Sequence, residues 1–205
     1  PNNSIPLRYE LKLKVNVEKG FETFFGDVKI AIKILSRTNL ITLHSKDLHI
    51  KSIRLYSSLL LPFFYEADRD FLNVKLPSEV EAGKEIILDI SYVGQFNINA
   101  TKGIVLASYD EGTNYIFTHF EPIFARFCLP CYDEPAIRAV FSVTIEHDSS
   151  YDVLSNMPVV SHDKTDDNHT VTTFEDTPQM QSYLLAFFIH KFPFIENNNT
   201  RVPQR

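Results

Sequence analysis

Side chains that alternate with a period of two, repeated along almost the whole chain, constrain this sequence more than any other feature. In "YELKLKVNV" the apolar set Tyr9, Leu11, Leu13, Val15 and Val17 is interleaved with Glu, Lys, Lys and Asn. Successive strand residues point to opposite faces, so such a segment buries one face and wets the other. "FFGDVKIAIKIL" repeats the pattern, with Val28, Ile30, Ile32 and Ile34 inward and Lys29 and Lys33 outward. "NLITLHS", "LHIKSIRLYS", "FLNVKL" and "EIILDISYVG" follow, then "NYIFTHFE", "AVFSVTIEH", "YDVLSNMP", "HTVTTFED" and "SYLLAFFIHKF". Turn-prone residues separate them. No segment carries an apolar i, i+3, i+4, i+7 stripe over three turns; Ile123 to Leu129 has room for one helical turn before Pro130. Many short strands without helical crossovers predict an all-β fold, an antiparallel β-sandwich. With 44% hydrophobic residues in 205, one such core can be filled, and neither a repeat nor a low-complexity linker divides the chain. A single domain over residues 1–205 is the expectation.

A net charge of −6 with no basic stripe speaks against a nucleic-acid partner. The longest apolar runs, "LLLPFF" and "YLLAFFI", fall well short of the roughly 18 residues a membrane span needs. Nothing at Pro1 resembles a signal peptide, so the chain is expected to begin as a mature product or a trimmed piece. Asn-x-Ser/Thr sequons stand at Asn2, Asn99, Asn168 and Asn198, each in a polar stretch. They predict a glycosylated protein that is secreted or held on the extracellular face of the plasma membrane.

The seven histidines form no His-Glu-x-x-His or other close helical pair, so no metal site is expected within this chain. His44 and His49 read as polar outward residues or hydrogen-bonded core positions. Cys128 and Cys131 form Cys-Leu-Pro-Cys without a surrounding βαβ pattern, which speaks against thioredoxin-like chemistry. They either close a small disulfide ring or remain buried thiols. No nucleophile elbow and no phosphate-cradling glycine loop is present.

Chemistry-bearing residues concentrate in "THFEPIFARFCLPCYDEPAIRAVF", residues 118–141. If its start is extended, His119 and Glu121 project from one face and Phe120 from the other, until Pro122 removes a ladder donor. By residue type alone, Glu121 would pair with Arg126 or Arg138. Asp133, Glu134 and Pro135 read as a turn, with Arg126 its internal partner.

The run "FEPIFARFCLPCYDEPAIRAVFSVTI" resembles the signature of the N-terminal domain of gluzincin zinc aminopeptidases of the aminopeptidase N type. That family reads roughly T-Q-F-E-P-x-x-A-R-x-x-F-P-C-F-D-E-P-x-x-K-A-x-F. "IPLRYELKLKVN", "FFGDVKIAIKIL", "ITLHSKDLHI", "YVGQFN" followed by Lys102-Gly103, "SNMPVV" and "QSYLLAFFIHKF" extend the match in order over nearly the whole chain. The resemblance implies a saddle-like β-sandwich that is not catalytic alone. Zinc is then expected in a following catalytic domain, whose H-E-x-x-H and G-x-M-E-N motifs do not occur here, and this chain would stop near the first domain's last strand. The implied partners are that catalytic domain and peptide N-termini. Glu121 falls on the glutamate that binds the substrate's α-ammonium, and His119 on the glutamine lining the first specificity pocket. His119 departs from the pattern, because a charged imidazole would repel an ammonium and compete for Glu121. Cys128 is a second departure. The alternative expectation is therefore a noncatalytic secreted relative, a protein-binding or receptor module with a protein ligand.

Overall fold

A computed structural model describes residues 2–17, 20, 22–98, 101–109, 112–166 and 168–193. Strands β1 (Ser4–Lys14), β2 (Thr23–Ile34), β3 (Thr38–His44), β4 (Leu48–Leu55) and β5 (Leu59–Leu60) open the chain. Then come β6 (Phe63–Glu66), β7 (Phe71–Val80), β8 (Glu85–Gln95), β9 (Gly103–Tyr109) and β10 (Thr113–His119). The last are β11 (Val140–Asp148), β12 (Asp152–Ser155), β13 (Val159–Lys164), β14 (His169–Phe174) and β15 (Phe187–His190). Short 3-10 turns occur at Ala67–Arg69, Ala125–Phe127 and Ser182–Leu184. The anticipated helical turn before Pro130 is the second of these.

The strands form an eight-stranded sheet of order β13-β14-β11-β1-β2-β8-β4-β5, a four-stranded sheet β12-β15-β10-β9 and a three-stranded sheet β3-β7-β6. Pairing is antiparallel except between β1 and β11, which run parallel. Those two strands are more than 120 residues apart in sequence, so the intervening chain easily makes the long return that parallel pairing requires. The all-β sandwich stands as read from the alternation.

One face of the large sheet is apolar for the reason the sequence announced. Tyr9, Leu11 and Leu13, Val28 to Ile34 at every second position, and Ile86, Leu88 and Ile90 are all buried. At about 1.5–3 kcal/mol for each large aliphatic side chain buried, this alternation fixes the register. The opposite face carries ion pairs such as Lys14–Glu146 and Lys29–Glu10, exposed and contributing little. Between β2 and β8, Phe24 lies opposite Gly94 and Gly26 opposite Tyr92. A Cβ on Gly26 would fall 2.2 Å from the Tyr92 ring, and one on Gly94 2.2 Å from that of Phe24. Each glycine therefore leaves the space its partner's ring occupies.

A single buried cluster draws on all three sheets and takes in Phe120, Ala125, Cys128, Leu129, Cys131 and Tyr132. The chemistry-rich segment is thus built into the core through its middle.

Candidate functional site

On β10 the alternation continues: Asn114 and Ile116 are buried, while Tyr115, Phe117 and His119 look out from the other face of the four-stranded sheet. Tyr115 stacks near Phe117 with centroids 6.0 Å apart and meets Phe188 and Phe192 edge-on at 6.0 and 5.3 Å. A half-covered aromatic stripe therefore runs up this face and ends at His119. Tyr115 and Phe117 also line a cavity of about 920 Å³ with Thr101, Val105 and Ala107.

The strand stops at His119. Phe120 is buried and meets Phe187 edge-on at 6.4 Å. His119 and Glu121 on either side are exposed. The turn closes where the Phe124 N–H donates to the Phe120 carbonyl at 2.7 Å. The His119 Nδ1–H donates to the Thr101 carbonyl at 2.7 Å, since a carbonyl can only accept. In the neutral ring this leaves the Nε2 lone pair without a partner among the described residues. The imidazole also meets the Phe124 ring edge-on.

Glu121 forms no ion pair among the described residues, which corrects the expectation of a pairing with Arg126 or Arg138. Arg126 is buried and engaged elsewhere. Its Nε–H and backbone N–H donate to Asp133 Oδ2 at 3.0 and 3.3 Å, Nη2 to the Asp133 carbonyl at 3.3 Å, and Nη1 to Asp70 Oδ2 at 3.4 Å. Asp133 Oδ1 accepts from the Ser182 hydroxyl at 2.8 Å. Burial raises the Asp70 carboxyl, but hydrogen bonds from Lys46 and Arg126 outweigh it and hold the group below its ordinary range. The Arg126 partnership read from the sequence is present, with Asp133 as the acid.

His44 closes the same network as a hydrogen-bonded core residue. Its Nδ1 accepts from the Asp133 N–H at 3.2 Å, so the ring proton sits on Nε2, 3.5 Å from Glu134 Oε1. Burial, then the Arg126 charge, pushes the imidazole below its ordinary value. Backbone bonds between His44 and Cys131 at 2.7 and 3.0 Å tie the segment to β3. The Tyr132 N–H donates to the Tyr9 hydroxyl at 3.0 Å, and the Tyr132 hydroxyl meets that of Ser4 at 2.7 Å. Asp70, His44 and Ser182 reach this network across 56, 89 and 49 residues of chain, and no local motif announces them.

Cys128 and Cys131 are unbonded and fully buried. The buried-thiol alternative holds and the disulfide does not. Burial pushes both thiols up, so neither is a nucleophile at neutral pH. Among the described residues no group of three or more His, Cys, Asp and Glu side chains could hold a metal ion. Asn2 and Asn168 are exposed; Asn99 and Asn198 lie outside the described residues. Among the described residues no helix is long and apolar enough to cross a membrane.

Comparison with known proteins identifies a family. The family described as the peptidase M1 N-terminal domain matches residues 5–184. The chain is 33% identical to aminopeptidase 2, mitochondrial, of Saccharomyces cerevisiae, covering all of this chain and 22% of that protein. It is 34% identical to aminopeptidase N of Plutella xylostella, covering 97% and 23%. Against aminopeptidase Q of Mus musculus the identity is 30%, over 90% and 38%. The chain therefore spans well under half the length of these relatives.

Proposed function

The chain belongs to the peptidase M1 N-terminal domain family, and on that premise we propose that it is the noncatalytic first domain of an aminopeptidase N-like zinc metallopeptidase. It shapes one wall of the substrate cleft and supplies an anchor for the peptide's α-amino group. The observation that carries this reading is Glu121: an exposed carboxylate just past the end of β10, in no ion pair among the described residues, while Asp133 twelve residues on is buried against Arg126. An unpaired carboxylate at a strand end is ready to accept charge-assisted hydrogen bonds from an ammonium. His119 strengthens the reading once its proton sits on Nδ1. Its free Nε2 offers a second acceptor, so the neutral imidazole can do the work of a glutamine carbonyl rather than repel the substrate.

An open strand end becomes a cleft only against a second wall. That wall is the catalytic domain of the same protein, seated toward the aromatic stripe that ends at His119. On this reading the zinc of such an enzyme is held by that other domain; among the described residues here no group of three or more His, Cys, Asp and Glu side chains could hold one. Secretion or display on the extracellular face of the plasma membrane is supported by the exposed sequons at Asn2 and Asn168. The relatives' names do not decide it, since one of them is called mitochondrial.

The test is Glu121→Gln in the full-length protein. Loss of a hydrogen bond to a charged group, about 1.5–3 kcal/mol, should lower kcat/KM for all aminoacyl reporters by roughly tenfold or more. Unchanged kinetics would remove the anchor. Mass spectrometry after glycosidase treatment of the natural protein tests location, through Asn-to-Asp conversion at Asn168.

A further inference from the structure

The antiparallel register sets Gly103, the first residue of β9, opposite His119. Lys102 therefore stands at the same end of the sheet as His119 and Glu121. Its ammonium lies 4.9 Å from the ring centroid of Phe127 and 6.0 Å from that of Phe124, and Phe124 is the ring that His119 meets edge-on at 6.3 Å. Backbone geometry fixes this cluster. Gly103 has φ +71°, and a Cβ there would stand 2.7 Å from the Phe127 Cβ, so only glycine lets β9 start this close to Phe127. The Asn97 side chain donates to the Lys102 carbonyl at 3.1 Å, and the Asn97 backbone pairs with Ile104 and Leu106. Asp47 lines the small cavity beside Lys102 without forming an ion pair with it. Among the described residues Lys102 has no carboxylate partner.

A lysine held on aromatic faces keeps its full charge, because a ring attracts a cation without neutralising it. That field gains strength when a second wall excludes water. We infer that Lys102 is a specificity-determining residue: it gives the sheet end that carries His119 a positive charge that favours peptides whose N-terminal residue is acidic, aspartate or glutamate. The inference rests on the reading of Glu121 as the anchor for the α-amino group. With the ammonium at Glu121, the first side chain of the substrate extends past His119 and Phe124 toward Lys102.

The test compares kcat/KM for glutamyl, leucyl and lysyl reporters in the full-length protein and its Lys102→Met and Lys102→Arg variants. The glutamyl-to-leucyl ratio should fall by about tenfold in Lys102→Met and be restored in Lys102→Arg. The same ratio in wild type and Lys102→Met would overturn the inference. Glu121→Gln separates the two ideas, since it should depress all three reporters together and leave their ratios unchanged. If the full-length protein hydrolyses none of them, binding of glutamyl- and leucyl-headed peptides replaces turnover. Equal affinities for the two in wild type would then overturn the inference, and a preference for the acidic peptide that Lys102→Met abolishes would uphold it.

Discussion

The two halves of residues 118–141 use similar residue types for opposite ends. In the back half Arg126, Asp133 and Tyr132 are buried, as is His44 of β3 against them, and Arg126 and Asp133 satisfy one another through several hydrogen bonds. In the front half His119 and Glu121 are exposed, and Glu121 has no ion pair among the described residues. The difference lies in burial rather than composition. A charge taken out of water must be paired or it destabilises the fold, whereas a charge left in water can wait for a ligand. The back half thus works as a brace joining β1, β3 and the segment around Ser182 to the loop, and the front half is the end that the brace holds still.

The comparison breaks most visibly at Asp133. Asp133→Ala leaves the buried Arg126 guanidinium with only a main-chain carbonyl and the more distant Asp70 carboxylate, and should cost about 3–5 kcal/mol, read as a large fall in Tm. A loss under about 1 kcal/mol would mean the brace is not what stabilises this end. Tyr9→Phe keeps the ring, stacked on Phe141 at 4.8 Å, but strands the buried Tyr132 N–H. It should cost about 1–3 kcal/mol in urea unfolding.

Acid should weaken the brace before it touches the open end. The folded-state value of His44 is lowered by burial and by Arg126, so the unfolded chain binds the proton more readily. Stability from this group is complete above the unfolded value near 6.5 and falls as pH drops below it. His147, buried and bonded through Nε2 to the Thr172 hydroxyl at 2.8 Å, is lowered too and acts in the same direction. Unfolding midpoints should therefore decline from pH 7 to pH 5, and His44→Gln should flatten part of that slope. A midpoint that rises over this range would contradict the assigned proton on His44 Nε2.

The smallest effect belongs to the front half. Glu121→Ala should change stability by no more than about 0.5 kcal/mol, as for a surface position. A large loss would show that Glu121 belongs to the brace after all.

Much of this was legible before any coordinates. Alternation placed Tyr9, Leu11 and Leu13 inside and Lys29 and Lys33 outside, because a strand offers only two faces and one must leave water. The two-residue spacing of His119 and Glu121 around Phe120 likewise pointed to an apolar residue going inward between two polar ones left in water. The seven-residue spacing of Arg126 and Asp133 allowed their pairing without requiring it. Other features needed the folded chain. Whether Glu121 or Asp133 would take Arg126 depended on which carboxylate the loop carries inward, and a disulfide or two thiols at Cys128 and Cys131 on how the loop enters the core. Lys102 reached the end of β10 only through the register of β9, and His44 reached Asp133 across 89 residues. Local patterning settles which way a side chain faces, since that depends on its immediate neighbours in the strand. Which distant groups meet depends on sheet order and register, and these follow from burying all the apolar faces together.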